Sequence, residues 1–190
     1  MRKLILASAS PWRKKILTAS GISFTVEVSG YDEDMSLSLS PGELAQHLAL
    51  GKATSVAGRH NDEVVLGADT FVVFENKLLG KPHTKERAIE MLAMLRGKTH
   101  ELLTGFAIVD SKTGKSTTKA VNTRVTMRQL TDAEIEAYVE TGEPLDAAGA
   151  YVIQGGGAKL MEKIDGDIDN IAGLPIQDVL HELAKFGVKV

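Results

Sequence analysis

The first twenty residues have the pattern of a buried strand, a tight turn and a capped helix. Residues 4–7 form a short apolar run that ends in turn-forming residues. Ser10 is a favourable N-cap and Pro11 a favourable first helical residue. We therefore predict a helix from Pro11 to about Ala19, stopped by Gly21. This order aims free backbone N–H groups and the positive helix end at whatever lies above the strand.

Similar signals recur along the chain. They predict helices that start after Ser40, after Thr84, after Thr131 and at Pro175, and that end near Gly58, Gly97, Gly142 and Gly187. Strands are predicted over 63–68, 71–74, 100–109, 119–127, 151–153 and 160–164. Residues 110–114 join two of these strands and favour an antiparallel hairpin. Early alternation of strands and helices, followed by a hairpin, indicates an α/β fold with a mixed sheet.

Composition narrows the function classes. A length of 190 residues suits one domain, or two small lobes that share a core. The net charge of −3 disfavours a nucleic-acid-binding module, so any polyanion site must be a local cluster of cations. The absence of cysteine excludes disulfides, thiolate nucleophiles and Cys-ligated metals. The N-terminal apolar run is too short for a signal peptide, and no stretch approaches membrane-spanning length. We therefore expect a soluble, cytoplasmic protein with no nucleic-acid or membrane partner.

A candidate phosphate site lies in Ser8-Ala9-Ser10-Pro11-Trp12-Arg13-Lys14-Lys15. Hydroxyl groups, a helix N-terminus and three cations occur within one turn, and Arg13 can bind a phosphate through two hydrogen bonds. Cations at this helix end oppose the helix dipole, which suggests that an external anion offsets the cost. The alternative is a capped helix with a solvated basic first turn, and this segment leaves both interpretations open.

A candidate catalytic carboxylate lies in Gly67-Ala68-Asp69-Thr70, between two apolar strand segments. On this segment alone a turn aspartate is the favoured interpretation, because Asp is common in turns. The functional alternative is a magnesium ligand or a base for water. Glu33 lies in the acidic stretch 31–34, which either forms a solvated loop or allows Glu33 to share a magnesium ion with Asp69.

Two lysines and one loop complete the candidates. Lys52 is expected near the core-facing stripe of its helix, and Lys81 lies between Gly80 and Pro82. Each fits a surface lysine with a buried stem, whereas with Arg13 the two would form a triphosphate clamp. Residues 142–157 are rich in small side chains and lead to Gln154. These residues either form simple turns or leave room for a flat ring, to which the amide of Gln154 could form hydrogen bonds.

In order and spacing, these motifs resemble the Maf (septum formation protein) family of nucleoside triphosphate pyrophosphatases, which is related in fold to the inosine triphosphate pyrophosphatases. The resemblance covers essentially the whole length. It implies a long mixed β-sheet flanked by helices, in two lobes around a cleft, within one Maf-like domain over residues 1–190. The residues that carry it are Leu6-Ala7-Ser8-Ala9-Ser10-Pro11-Trp12-Arg13, Glu33, Lys52, Gly67-Ala68-Asp69-Thr70, Lys81-Pro82, Gly142-Glu143-Pro144, Ala148-Gly149-Ala150-Tyr151, Gln154-Gly155 and Gly173-Leu174-Pro175.

The resemblance also implies a reaction. A nucleoside triphosphate and water would give the monophosphate and pyrophosphate, with a divalent cation, Mg²⁺ or Mn²⁺, as cofactor. Asp69 matches the family's catalytic aspartate, and Asp69 and Glu33 are the expected metal ligands. The expected phosphate-binding residues are Ser8, Arg13, Lys14, Lys52 and Lys81. A homodimer in the cytoplasm is typical of the family.

Three positions bear on which nucleobase is preferred. Members of the 7-methyl-GTP type carry Trp, Gln and Glu at positions 12, 70 and 154, whereas the dTTP/UTP type carries Arg, Thr and Gln. This chain combines Trp12 with Thr70 and Gln154. Trp12 can stack on a base, especially on a cationic purine, and the amide of Gln154 suits a neutral pyrimidine edge. The preferred base therefore stays open, as does the alternative of a non-catalytic nucleotide-sensing protein that regulates septum formation.

Overall fold

A computed structural model describes residues 2–189 and contains one seven-stranded mixed sheet. Six strands follow the order β2-β1-β3-β5-β6-β7, and β4 pairs with β3 outside that path. β1 runs parallel to both β2 and β3, whereas β3 with β4 and β6 with β7 are antiparallel. The strands are β1 Leu4–Leu6, β2 Phe24–Val26, β3 Val64–Phe74, β4 Lys77–Leu79, β5 Thr99–Asp110, β6 Ser116–Met127 and β7 Met161–Asp165.

Local capping explains where the main helices begin. The hydroxyl of Ser10 accepts the N–H of Arg13, and Ser40 and Thr131 each form a complete capping box with a glutamate three residues later. The helices are α1 Pro11–Ala19, α2 Pro41–Ala57, α3 Lys85–Leu95, α4 Asp132–Glu140, α5 Ile168–Ile171 and α6 Ile176–Lys185. Among residues 2–189, no helix is both long enough and apolar enough to cross a membrane.

The chain divides into two compact units. Of the described residues, the first unit holds 2–70, 104–121 and 173–189. Strand β1 is buried on both faces: Leu4 and Leu6 pack in a cluster with α6, while Ile5 packs in another with α2. Gly67 lets β3 approach α2 closely, because a Cβ there would lie 2.4 Å from the carbonyl oxygen of Ala49.

The second unit holds residues 71–103 and 122–172. Its core contains Leu92 and Leu95 of α3, Val125 of β6 and Ile135 of α4, together with Tyr138 and Tyr151. Three short 3₁₀ turns, Glu143–Asp146, Ala148–Ala150 and Gly156–Leu160, connect α4 to β7.

Two strand predictions were wrong in detail. Residues 63–68 and 71–74 do not form two strands around a turn, because β3 runs without a break through Asp69. Residues 151–153 do not form a strand. The backbone adopts positive φ at Gly149 (69°) and Ala150 (64°) and enters a turn instead of extending. The three-residue strands β2 and β4 and the one-turn helix α5 were not predicted.

Candidate active site

Asp69 projects from the interior of β3 and is only 8% exposed. Its Oδ1 accepts a hydrogen bond of 2.8 Å from Nζ of Lys52. Its Oδ2 is buried and accepts no hydrogen bond from any residue that the structure describes. A buried carboxylate oxygen without a partner is costly, so this atom is available to a cation or to a proton of water.

Lys52 joins two carboxylates. From α2, its Nζ lies 2.8 Å from Oδ1 of Asp69 and 2.9 Å from Oε1 of Glu33. The lysine side chain is 11% exposed, whereas that of Glu33 is 43% exposed. The loop that carries Glu33 rests on α2, because the ring of Tyr31 occupies the place that a Cβ of Gly51 would fill. Glycine at position 51 therefore lets this acidic loop approach the lysine.

Arg13 of α1 is held by three acceptors. Its Nε donates to the carbonyl oxygen of Gly173 at 2.9 Å, Nη1 to Oγ of Ser8 at 3.2 Å, and Nη2 to Oγ1 of Thr70 at 3.1 Å. Burial lowers the pKa of Arg13, and the negative charges of Asp69 and Glu33 oppose that shift. An arginine stays protonated at neutral pH even so. These three bonds use three of its five N–H groups, which leaves two for a phosphate oxygen.

A chain of hydroxyl groups supports this guanidinium. Oγ1 of Thr70 lies 2.9 Å from Oγ1 of Thr104, which is fully buried on β5. Oγ of Ser8 also accepts the N–H of Ser10 at 3.2 Å, so the turn before α1 is tied to the same network. Thr104 and the carbonyl group of Gly173 were missed as site residues. Gly173 lies in a motif that carried the family resemblance, but no pattern singled out Thr104.

The structure thus brings together six of the predicted site residues through direct contacts within the first unit. These are Ser8, Arg13, Glu33, Lys52, Asp69 and Thr70. Trp12 is half-buried, with Nζ of Lys15 5.5 Å from its ring centroid. Lys14 is exposed, and no described contact joins its side chain to this network.

The remaining two predicted residues belong to the second unit. Lys81 is exposed and precedes the buried Pro82. Gln154 is also exposed, in the loop that follows Tyr151. The hydroxyl group of Tyr151 lies 2.7 Å from Nε2 of His100, which is 2% exposed. Burial lowers the pKa of His100 to about 4 and raises the pKa of Tyr151, so the pair is neutral near pH 7.

The carboxylates of Asp69 and Glu33 have the chemistry that a hard divalent cation requires. Magnesium prefers oxygen ligands and commonly binds through one or two carboxylates plus waters and substrate phosphates. Asp69 supplies a buried oxygen without a partner, and Glu33 shares the same ammonium neighbour. Within residues 2–189, no cluster of three or more acidic or histidine side chains could hold a metal unaided. A cation here would therefore complete its coordination with water and phosphate oxygens.

Comparison with known proteins decides the family. The model of the Maf-like protein family matches residues 3–186. The chain belongs to the Maf family. It is 50% identical over 190 residues to a protein of Moorella thermoacetica named dTTP/UTP pyrophosphatase, and 46% identical to a protein of Bacillus anthracis with the same name. Each match covers 100% of this chain and 98% of the relative, which confirms the resemblance inferred from the motifs.

A solved structure confirms the fold class. The HAM1 protein from Coxiella burnetii matches with a TM-score of 0.51, over 96% of this chain and 100% of that one. Sequence identity is 14%, so this likeness concerns the fold alone. The predicted α/β class with a mixed sheet flanked by helices is correct.

Proposed function

We propose that this Maf protein hydrolyses nucleoside triphosphates to the monophosphate and pyrophosphate, and that UTP and dTTP are its main substrates. The observation that carries the proposal is the buried carboxylate of Asp69, whose Oδ2 has no described partner, beside the cations Lys52 and Arg13. The names of relatives that are 45–50% identical over the full chain support the same reaction.

The cationic side chains bind the triphosphate in this proposal. Arg13 keeps two N–H groups beyond its three protein bonds, and Lys52 offers an ammonium that contacts both Asp69 and Glu33. Ser8 fixes the guanidinium and adds a hydroxyl group near it. Lys14 and Lys81 belong to the proposal through the sequence resemblance, as further phosphate-binding lysines. Together these groups stabilise charge that develops on the phosphates.

The carboxylates define the place for the cofactor. Asp69 and Glu33 would hold Mg²⁺ or Mn²⁺, which neutralises phosphate charge when it is bound. Lys52 balances these carboxylates in the structure, and the same ammonium can turn to a phosphate oxygen. We regard Lys52 as the group that keeps Asp69 and Glu33 close together before substrate arrives.

Asp69 is the proposed base. Its carboxylate orients a water molecule or accepts a proton from it, and that water attacks the α-phosphorus while pyrophosphate leaves. Hydrolysis in ¹⁸O-water tests this direction of attack. We expect the label in the monophosphate, and label in pyrophosphate would place the attack on the β-phosphorus instead.

We propose that Trp12, Thr70 and Gln154 determine which nucleobase is preferred. The hydroxyl group of Thr70 already contacts Arg13 and Thr104, so we propose that Thr70 acts by holding Arg13. Gln154 supplies an amide for a pyrimidine edge, and Trp12 a surface for stacking. Thr70 and Gln154 match the dTTP/UTP type that the resemblance describes, whereas Trp12 departs from it.

A pyrophosphate-release screen tests the proposal. Purified protein is incubated with Mg²⁺ or Mn²⁺ and UTP, dTTP, CTP, GTP or 7-methyl-GTP, and both pyrophosphate and orthophosphate are measured. We expect pyrophosphate as the primary product, released fastest from UTP and dTTP. Orthophosphate as the sole primary product would overturn the reaction. Unchanged nucleotides would instead favour a nucleotide-sensing protein that regulates septum formation.

Other properties enter the proposal through the family resemblance alone. They are a homodimer, a cytoplasmic location, and one domain organised as two lobes around a cleft. The net charge of −3 agrees with a small-molecule substrate and with no nucleic-acid partner.

A further inference from the structure

The carboxylate of Glu143 lies directly against the backbone of the loop that carries Gln154. Its Oε2 accepts the N–H of Gly156 at 2.9 Å, and Oε1 lies 3.2 Å from the same nitrogen. A Cβ on Gly155 would lie 1.5 Å from Oε1, and a Cβ on Gly156 3.0 Å from Oε2. Only glycine at position 155 allows this approach, so the loop backbone and the carboxylate fit each other closely.

Two further contacts hold the other end of the loop. The N–H of Val152 donates to the hydroxyl oxygen of Tyr138 at 3.0 Å. Tyr151 is held through its hydroxyl group by the buried His100. Gln154 therefore lies between two anchored positions. Val152, held by Tyr138, precedes it, and Gly156, held by Glu143, follows it. Its side chain is exposed, so the anchored backbone is what fixes its position.

We propose that Glu143 is a positioning residue for base selection. Its carboxylate holds the loop 152–157 in one conformation, which places the amide of Gln154 in advance of substrate binding. A carboxylate that accepts backbone N–H groups forms stronger bonds than a neutral acceptor, and advance positioning of a binding group raises affinity because less order is lost on binding. This inference rests on the proposed function and deepens it, because Glu143 would act on the nucleobase only through the loop that carries Gln154.

Kinetics with two pyrimidine nucleotides test the role. UTP and CTP differ at the base edge that Gln154 would recognise. Glu143→Ala should raise KM for UTP roughly tenfold, as expected when a hydrogen bond to a charged group is lost, with little change in kcat. It should also reduce the preference for UTP over CTP. Glu143→Gln keeps an acceptor oxygen of the same reach and should retain most of both properties.

A double-mutant cycle connects the two residues. In a Gln154→Ala background, Glu143→Ala should cause no further loss of the UTP preference, because both changes remove the same contribution. Additive losses would show that Glu143 acts independently of Gln154 and would overturn the proposal. An equal fall in kcat for UTP and CTP, without rescue by Glu143→Gln, would indicate general damage and would also overturn it.

Amide hydrogen exchange measured by NMR separates this inference from the proposed function. The amide of Gly156 should exchange faster in Glu143→Ala than in the wild-type protein, while amides of α4 stay unchanged. Unchanged exchange at Gly156 would refute the anchoring whatever the kinetics show. A wild-type protein that releases no pyrophosphate from any nucleotide would instead refute the proposed function, and with it the link to base selection.

Discussion

Nζ of Lys52 lies 2.8 Å from Oδ1 of Asp69, and both side chains are largely buried. The same ammonium forms an ion pair with Glu33, so one cation separates two carboxylates that would otherwise repel each other. This ion-pair arrangement holds the carboxylates of Asp69 and Glu33, the proposed metal ligands, next to each other.

Replacement of Lys52 by Met removes the cation that joins Asp69 and Glu33. We expect the free energy of unfolding to fall by about 1–3 kcal/mol without divalent ions, because a buried acceptor loses its partner. Mn²⁺ should then raise the melting temperature more in the variant than in the wild-type protein, since the carboxylates become free to bind it. The control is Lys85→Met, which removes an exposed ion pair with Glu140 and should change stability little. If Mn²⁺ raises the melting temperature of Lys52→Met no more than that of Lys85→Met, Asp69 and Glu33 do not form a metal site.

The hydroxyl pair of Thr70 and Thr104 supports Arg13. Thr104→Val keeps the shape of the side chain but removes its hydroxyl group, so Thr70 holds the guanidinium less firmly. We expect kcat/KM for UTP to fall about three- to tenfold, the effect of one hydrogen bond. Thr104→Ser should restore most of it. Thr99→Val is a matched control, because Thr99 lies on β5 like Thr104 and its hydroxyl group pairs with that of Thr126 on β6. An equal loss in Thr99→Val would contradict the role of Thr104.

Stability should depend on pH through His100. Its folded-state pKa of about 4 lies below the ordinary value of 6.5, so below pH 6.5 the unfolded chain binds a proton that the folded protein does not. The stabilisation that the buried, neutral His100 gives the folded protein is present above pH 6.5. It is lost as the pH falls towards 4, which lowers the free energy of unfolding by roughly 3 kcal/mol in total. Urea unfolding at a series of pH values measures it. His100→Gln should show a shallower fall between pH 6.5 and 4, and an identical slope would contradict the buried neutral histidine.

Trp12 should influence which nucleotide is preferred. Trp12→Arg removes a ring that can stack on a cationic purine, so the ratio of kcat/KM for UTP over 7-methyl-GTP should rise. The control is Lys15→Met, which removes the ammonium over the same ring and should leave the ratio nearly unchanged. If Trp12→Arg leaves the substrate profile untouched, Trp12 does not select the base.

All the helices except the one-turn helix α5 could be predicted from sequence, because their ends are fixed locally. The predicted bounds of α1 agree with the structure, since Ser10 and Pro11 determine its start through neighbouring atoms. The strands β2 and β4 could not be predicted in the same way. Each has three residues, too few to show an alternating pattern. β2 also pairs with a strand that is remote in sequence, as Phe24 pairs with Leu4, whereas β4 pairs with the adjacent β3 across a short turn, as Lys77 pairs with Phe74.

The site shows the same division between local and remote determinants. Arg13, Lys52 and Asp69 were recognisable as residue types that phosphate chemistry needs, although the sequence favoured a turn for Asp69 and the structure places it within a strand. Thr104 lies within a mostly apolar strand pattern, and its contact with Thr70 spans 34 positions. Nothing near Thr104 in sequence indicates that its hydroxyl group supports an arginine.

Asp69 is the proposed catalytic residue, and Asp69→Asn tests that role most directly. The amide keeps the size of the side chain but is neutral and a poor proton acceptor. Initial rates of pyrophosphate release from UTP and dTTP are compared for the wild type, Asp69→Asn and the exposed control Asp62→Asn. We expect a loss of at least about 100-fold in Asp69→Asn and none in the control. Near-wild-type release by Asp69→Asn would contradict that role.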